Sequence, residues 1–413
     1  RWHLSDDALA MTRTPLIRPA LALVTAVMLI LSSSASLAAE DEPLLDEELI
    51  AEAIELLQEW YVDDDVLTRE NLTIGAIRGM VDALGDDGHT QYLTEEEYEI
   101  EQDVLRGHVA GIGVVLDQRS AAPVIIGVID GSPADRKGLR TGDIIASVGD
   151  MDTARLPDGE LADLIRGEPD TSVRLGIERP GTGERMSVTI TRKDVRIDPV
   201  SWAMAPGSDA AVIRVVQFST GAGQQVRDAV EAAVEAGAGA LVLDLRGNPG
   251  GLVAEMLNAA SAFVDGGVAF LERARDELPV PIEIDSGRVV EAEAPVVVLV
   301  DYGTASSAEI LAAALRDNGR ATVIGEQTFG TGTILNNRSL TDGSAIRLGV
   351  REWLTPAGEA VFRVGLAPDE EASLPLGAVR LGPIDLLALT PLEFEASDDA
   401  PLVQAVRLAE QGG

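Results

Sequence analysis

Leu241-Val242-Leu243-Asp244-Leu245-Arg246-Gly247-Asn248-Pro249-Gly250-Gly251 is a short apolar run that ends at a carboxylate and opens into a glycine-rich turn. A near-continuous apolar strand of this kind suits a sheet covered on both faces. The turn behind it frees backbone amides that can line an anion site. Working outward, Val212–Val216 and Val296–Val300 are further strands, and helical spacing marks Val226–Val234, Met256–Phe263 and Ala308–Leu315. Strands and helices therefore alternate from Ala211 onward, which predicts an α/β fold.

Upstream the texture differs. Val109–Leu116, Val124–Ile129, Val173–Ile177 and Val188–Thr191 are short β runs between Gly, Pro and Asp turns, predicting a compact β-rich module of about 90 residues. At the front, Leu45, Leu49, Ala53, Leu56, Leu57 and Trp60 recur at helical spacing, and Ile74, Ile77, Val81 and Leu84 repeat the pattern before Gly85. Thr94-Glu95-Glu96-Glu97 has capping-box spacing and predicts a further short helix. Earlier still, Met11 opens a segment with Arg13 and Arg18, an uncharged apolar run from Ala20 to Leu31, and small residues through Ala39. That pattern predicts a signal peptide over 11–38, cut near Ala38, and hence export to a periplasm, cell surface or medium. Residues 1–10 are then expected to precede the translated start. The uncharged stretch also approaches the ~20 residues of a bilayer span, so an uncleaved anchor is the alternative.

The chain has 413 residues, 46% of them apolar, enough for two or three domains with buried cores. Asp and Glu total 69 against 32 Lys and Arg, and a formal charge of −37 argues against a nucleic-acid partner. With no cysteine there is no disulfide, thiolate nucleophile or cysteine-ligated metal. No metal-ligand spacing is present, no cofactor is implied, and Asp63-Asp64-Asp65 reads as a solvated turn. The side chains that serve as bases near neutral pH are scarce: lysines Lys137 and Lys193, and histidines His3, His89 and His108.

Gly111-Ile112-Gly113-Val114, then Gly131-Ser132-Pro133-Ala134, Gly138-Leu139, Gly142-Asp143-Ile144-Ile145 and Val148, resemble a PDZ domain over 104–193. The resemblance implies that the Gly111–Val114 loop turns its N–H groups toward the terminal carboxylate of a peptide, which adds as an extra strand. Read without it, the glycines are β-turn residues.

Asp244–Gly251 is followed by Gly303-Thr304-Ala305-Ser306-Ser307-Ala308-Glu309-Ile310, Asp317-Asn318-Gly319-Arg320 and Gly325-Glu326-Gln327-Thr328-Phe329-Gly330-Thr331-Gly332-Thr333. This ensemble resembles the carboxyl-terminal processing, or tail-specific, serine peptidases, and the likeness extends over nearly all of 44–413. It implies a helical region over 40–103, a PDZ domain over 104–193 and a crotonase-like α/β protease core over 196–413. It also implies Ser306 as nucleophile, with the Ser307 amide and Gly250 or Gly251 as oxyanion donors, and places Asp317 at an acidic supporting position. Ser306 as a helix N-cap only, and Asp317 as a helix-end residue, are the bland readings. A crotonase-like acyl-CoA enzyme would share the core without the PDZ insertion.

The likeness breaks at the base. The family lysine lies in a Thr-Phe-Gly-Lys-Gly-Thr segment, and here that position is Thr331; Leu335 stands where a glutamine often follows. Both lysines of the chain fall in the PDZ module. His89, in Asp86-Asp87-Gly88-His89-Thr90, matches a segment that in lysine-less relatives supplies a histidine base, here with a carboxylate such as Glu352 to orient it; its alternative role is structural. His108 lies beside the peptide loop. Two expectations stand: an exported serine endopeptidase that docks protein C-termini and uses Ser306 with a replacement base, or a catalytically silent peptide-binding scaffold.

Overall fold

The computed structural model describes residues 44–85, 89–117, 123–129, 132–140, 142–156, 160–180, 183–289, 294–375 and 378–412. The expected signal segment, Asp86-Asp87-Gly88 and Gly131 lie outside them. The chain divides at Gly75 into two compact units. In the first, the helix Glu47–Trp60 starts at Asp46, whose side chain accepts from the Leu49 N–H at 3.0 Å. None of its residues is buried, and Leu49, Leu57 and Trp60 are exposed. The Asp63–Asp65 run forms a tight turn, Asp63 accepting from the Asp65 N–H. A second helix, Arg69–Asp82, spans the division.

The core of the second unit is a six-stranded sheet in the order Val200–Met204, Ala210–Val215, Ala240–Asp244, Val296–Val300, Thr322–Gly325, Glu370–Glu371. Only the first pairing is antiparallel. Ala240–Asp244 and Val296–Val300 are buried throughout, because successive side chains enter different cores. Leu241, Leu243, Val296 and Val298 pack with the helices Ala222–Glu235, Val253–Ala260 and Ser307–Asp317. Val242, Val297 and Leu299 pack with the closing helix Ala400–Gln411. The continuous apolar strands seen in the sequence are thus the signature of a sheet covered twice.

A second, antiparallel sheet was not anticipated. It runs Gln91–Leu93, Ala345–Leu354, Val268–Arg273, Val280–Glu283, with Thr333–Ser339 paired to Ala345–Leu354. The helix Glu95–Leu105 follows its first strand and has the expected capping box: Glu97 N–H donates to Thr94 Oγ1 at 3.2 Å and Thr94 N–H to Glu97 Oε2 at 2.7 Å.

A third sheet orders Val114–Asp117, Val124–Val128, Ile144–Val148, Ser172–Arg179 and Glu184–Thr191 antiparallel around Ile125, Ile145, Leu175, Ile177 and Ile190. The expected single run Val109–Leu116 is in fact two strands. His108–Gly111 pairs with Lys193–Arg196 as a ribbon where the chain enters and leaves this module, and the break is Gly113, at φ 83°. A Cβ there would fall inside the Ser132 side chain, so only glycine makes the bend. Val114–Asp117 is left as an edge strand of its sheet.

Candidate active site

The strand Val296–Val300 leads through Asp301–Ser306 into the helix Ser307–Asp317. Ser306 sits at φ 53° and ψ −125°, a conformation that costs a non-glycine residue on the order of 1–3 kcal/mol. Strained strand-to-helix turns of this kind hold a side chain clear of the backbone. The neighbours enforce it. Ser306 N–H donates to Glu309 Oε2 at 2.8 Å, and Ala305 N–H donates to Asn248 O in the glycine-rich loop at 2.9 Å.

Glu309 is fully buried and joins the turn to the 328–333 segment. Its Oε1 accepts from Thr328 Oγ1 and from Gly330 N–H at 2.8 Å, and its Oε2 also accepts from Thr331 N–H at 3.0 Å. Burial pushes this carboxyl above its ordinary range, and the hydrogen bonds from Thr328, Gly330, Thr331 and Ser306 oppose the push.

The glycine-rich loop closes on the turn at Gly250, φ 98°. A Cβ there would stand 2.7 Å from Ser306 Cβ and 2.9 Å from Ala305 O, both shorter than real contacts, and a tight 3.0 Å from Ser307 N. Gly250→Ala is therefore expected to push the turn out of place and slow acylation by at least about 100-fold, read as the rate of labelling by a serine-directed phosphonate. Gly250 is corrected as an oxyanion donor: its N–H is taken by Asn248 Oδ1 at 2.9 Å. Among the described residues, neither Gly251 N–H nor Ser307 N–H makes a hydrogen bond. Ser307 itself is fully buried, so of the two serines only Ser306 faces open space.

That space is a cleft of about 780 Å³ lined by Ser306, Gly250, Gly251, Thr331, Phe329 and His89, among others. His89 is buried between Phe329 and Phe362, at ring distances of 5.8 and 5.5 Å. Tyr302 continues the aromatic row 5.6 Å beyond Phe329. The backbone of the His89 segment is anchored to the second sheet, with His89 O accepting from Arg347 Nε at 3.2 Å and Thr90 Oγ1 from Gly349 N–H at 3.3 Å.

Beneath the cleft, Asp244 and Arg246 form a buried pair, Arg246 Nε and Nη2 each donating to an Asp244 oxygen at 2.9 Å. Burial alone would raise the Asp244 carboxyl, but Arg246 and Arg214 outweigh it and hold it at about 2. With the folded value below the ordinary one, this stabilisation is complete above the unfolded value and is lost as pH falls through about 2. Asp244→Asn is expected to cost about 3 kcal/mol at neutral pH, with the gap to the parent protein narrowing toward pH 2 in denaturant titrations.

Comparison with known proteins follows the same division. The family model for peptidase family S41 matches residues 209–372, and that for the PDZ domain matches 124–179. The carboxyl-terminal-processing protease of Synechocystis sp. is 33% identical over 345 residues, covering 78% of this chain and 75% of that protein. The chain belongs to peptidase family S41. The carboxy-terminal processing protease CtpA of Bacillus subtilis is 31% identical over 319 residues, 76% of this chain. The chain spans 65% of that relative's length. Among solved structures, a photosystem II D1 C-terminal processing protease superposes with a TM-score of 0.55 at 29% identity, covering 80% of this chain and 95% of that one.

In this S41 chain, Ser306, His89, Thr331, Gly250 and Gly251 line one cleft, while other sequence candidates do not. Asp317 is corrected as a supporting acid. It lies at the far end of the Ser307–Asp317 helix, about 16 Å from Ser306 at ~1.5 Å per residue, where it accepts from Arg316 Nε and Ala357 N–H. Glu352 is held by Arg273 and does not line the cleft. Neither Lys137 nor Lys193 lines it either, and Lys193 pairs with Asp170. His108 faces the Asp194 carboxylate at 3.1 Å in the module's ribbon. Glu309 was missed as a functional residue, although its place three residues after Ser306 at a helix start is capping-box spacing. Asp301, Arg380 and Asp399 were missed because their partners are distant in sequence.

Proposed function

We propose that this S41 chain is an exported serine endopeptidase that docks protein C-termini on its PDZ module and cleaves through an acyl-Ser306 intermediate with His89 as base. The observation that carries the reading is the cleft lined by Ser306, His89 and Gly251, with the unengaged Ser307 N–H directly following Ser306 in the chain. Among the described residues, His89 is the only imidazole on the cleft walls.

In this mechanism His89 takes the Ser306 hydroxyl proton as Oγ attacks the scissile carbonyl carbon. The carbonyl oxygen becomes an alkoxide, which the Gly251 and Ser307 N–H groups stabilise, each such donor being worth about 3–4 kcal/mol of barrier. His89 then returns the proton to the departing amine as the C–N bond breaks, leaving an ester on Ser306. Water, deprotonated by His89, attacks the ester; the new carboxyl leaves and Ser306 regains its proton.

The edge strand Val114–Asp117 supports docking, since a peptide can pair with it beside the Gly111-Ile112-Gly113-Val114 loop. Titration calorimetry should show a free-acid peptide binding at least tenfold more tightly than its C-terminal amide; equal affinities would remove the docking role. Thr331 at the family lysine position is what favours the silent-scaffold reading, which keeps docking and predicts no turnover of an unfolded protein.

A further inference from the structure

Under the glycine-rich loop lies a cluster of guanidinium and carboxylate groups, Arg214, Arg246 and Arg380 with Asp244, Asp301 and Asp399. Arg380 and Asp399 come from the chain beyond the S41 match, which ends at residue 372. Arg380 is nevertheless buried against the loop: Nη2 donates to Asp301 Oδ2 at 2.6 Å and Nη1 to Arg246 O at 3.0 Å. Its Nη1 stands 2.6 Å from where a Cβ on Gly247 would be. The other Asp301 oxygen accepts from Gly247 N–H at 2.8 Å and from Gly303 N–H at 2.9 Å.

This one ion pair therefore ties three backbone points together. Arg246 O and Gly247 N belong to the loop that leads to Gly251, and Gly303 N belongs to the turn that leads to Ser306 and Ser307. The two segments touch there, a Cβ on Gly303 falling 2.9 Å from Gly247 Cα. Asp399 completes the frame. It accepts from Arg246 Nη1 at 2.7 Å and Nη2 at 3.1 Å, from Leu381 N–H next to Arg380 at 2.8 Å, and from Leu402 N–H in the closing helix at 3.2 Å.

We propose that Arg380 and Asp301 are positioning residues that set the separation between the Gly251 and Ser307 amides, so that the segment beyond residue 372 is part of the working site. The proposal rests on the acyl-serine reading above, because it concerns the donors that would hold the alkoxide. An oxyanion site works only when its donors are fixed before charge develops. A backbone brace through a planar guanidinium is a means to that end that a point charge cannot reproduce.

The test uses the full chain and two variants. Arg380→Lys keeps the charge beside Asp301 and loses the planar fork; Arg380→Met removes the charge. Amide hydrogen exchange over 246–251 and 301–307 is compared with exchange over the PDZ sheet, and kcat and KM are measured on an unfolded protein substrate. The expected result for Arg380→Lys is exchange at least tenfold faster in those two segments alone, with kcat lower by about 10²-fold and KM within about twofold. Arg380→Met should be more severe in the same two segments. Unchanged exchange and kcat in folded Arg380→Lys would overturn the proposal, as would faster exchange spread evenly over the core. If the parent protein turns over no substrate, the peptidase reading fails, and the exchange comparison still decides the brace.

Discussion

Ser306→Ala is expected to abolish cleavage of an unfolded protein, lowering kcat by about 10⁶-fold, as loss of the nucleophile does in serine enzymes of triad type. Ser307→Ala should behave in the opposite way. Its hydroxyl is buried with no hydrogen-bond partner among the described residues, and the proposed contribution comes from the backbone N–H, which alanine retains. Activity within about threefold of the parent, with equal or slightly higher stability, is the expected outcome, because a buried unsatisfied hydroxyl is costly. Ser306→Gly adds a thermodynamic signature. Glycine adopts φ 53° without penalty, so this variant should be inactive yet more stable by about 1–2 kcal/mol in denaturant titrations. A loss of stability in Ser306→Gly would mean that the turn is not strained.

His89→Ala carries the second largest expected effect, about 10⁴-fold or more in kcat, since losing the proton acceptor disables both halves of the reaction. The ring also fills space between Phe329 and Phe362, so truncation alone leaves a void. His89→Gln, which keeps much of the volume and cannot take up a proton, separates the two effects: it should remain folded and be as inactive as His89→Ala. Thr331→Lys in the His89→Gln background is expected to restore part of the activity and move the working range to more alkaline pH. Thr331 lines the same cleft, with its N–H anchored to Glu309. Full activity in His89→Gln would place the base elsewhere.

The core sheet was legible because burial on both faces leaves no polar alternation, and Val296–Val300 is a strand over the residues the pattern marks. The second sheet was not. Thr333–Ser339 is mostly polar and has no fully buried residue, and it is a strand because it pairs along Ala345–Leu354, a relation that local spacing does not carry. The site divides in the same way. Ser306, Gly250 and Gly251 sit in local motifs whose backbone demands are visible in the sequence, whereas the engagement of the Gly250 amide by Asn248 is a property of the folded loop. Helical spacing marked Ala308–Leu315, with Ser306 before its start and Asp317 past its end, and the structure extends that helix to Ser307–Asp317. Arg246 meets Asp399 across 153 positions and Arg380 across 134, so no pattern within a window could have joined them.

Covalent labelling by a fluorophosphonate, followed by mass spectrometry of the intact and digested protein, tests most directly whether Ser306 is activated by His89. One adduct on the peptide that contains Ser306 is predicted, absent in Ser306→Ala and formed at least about 10³-fold more slowly in His89→Gln. An unlabelled parent protein, or equal labelling rates in the parent and His89→Gln, would contradict it.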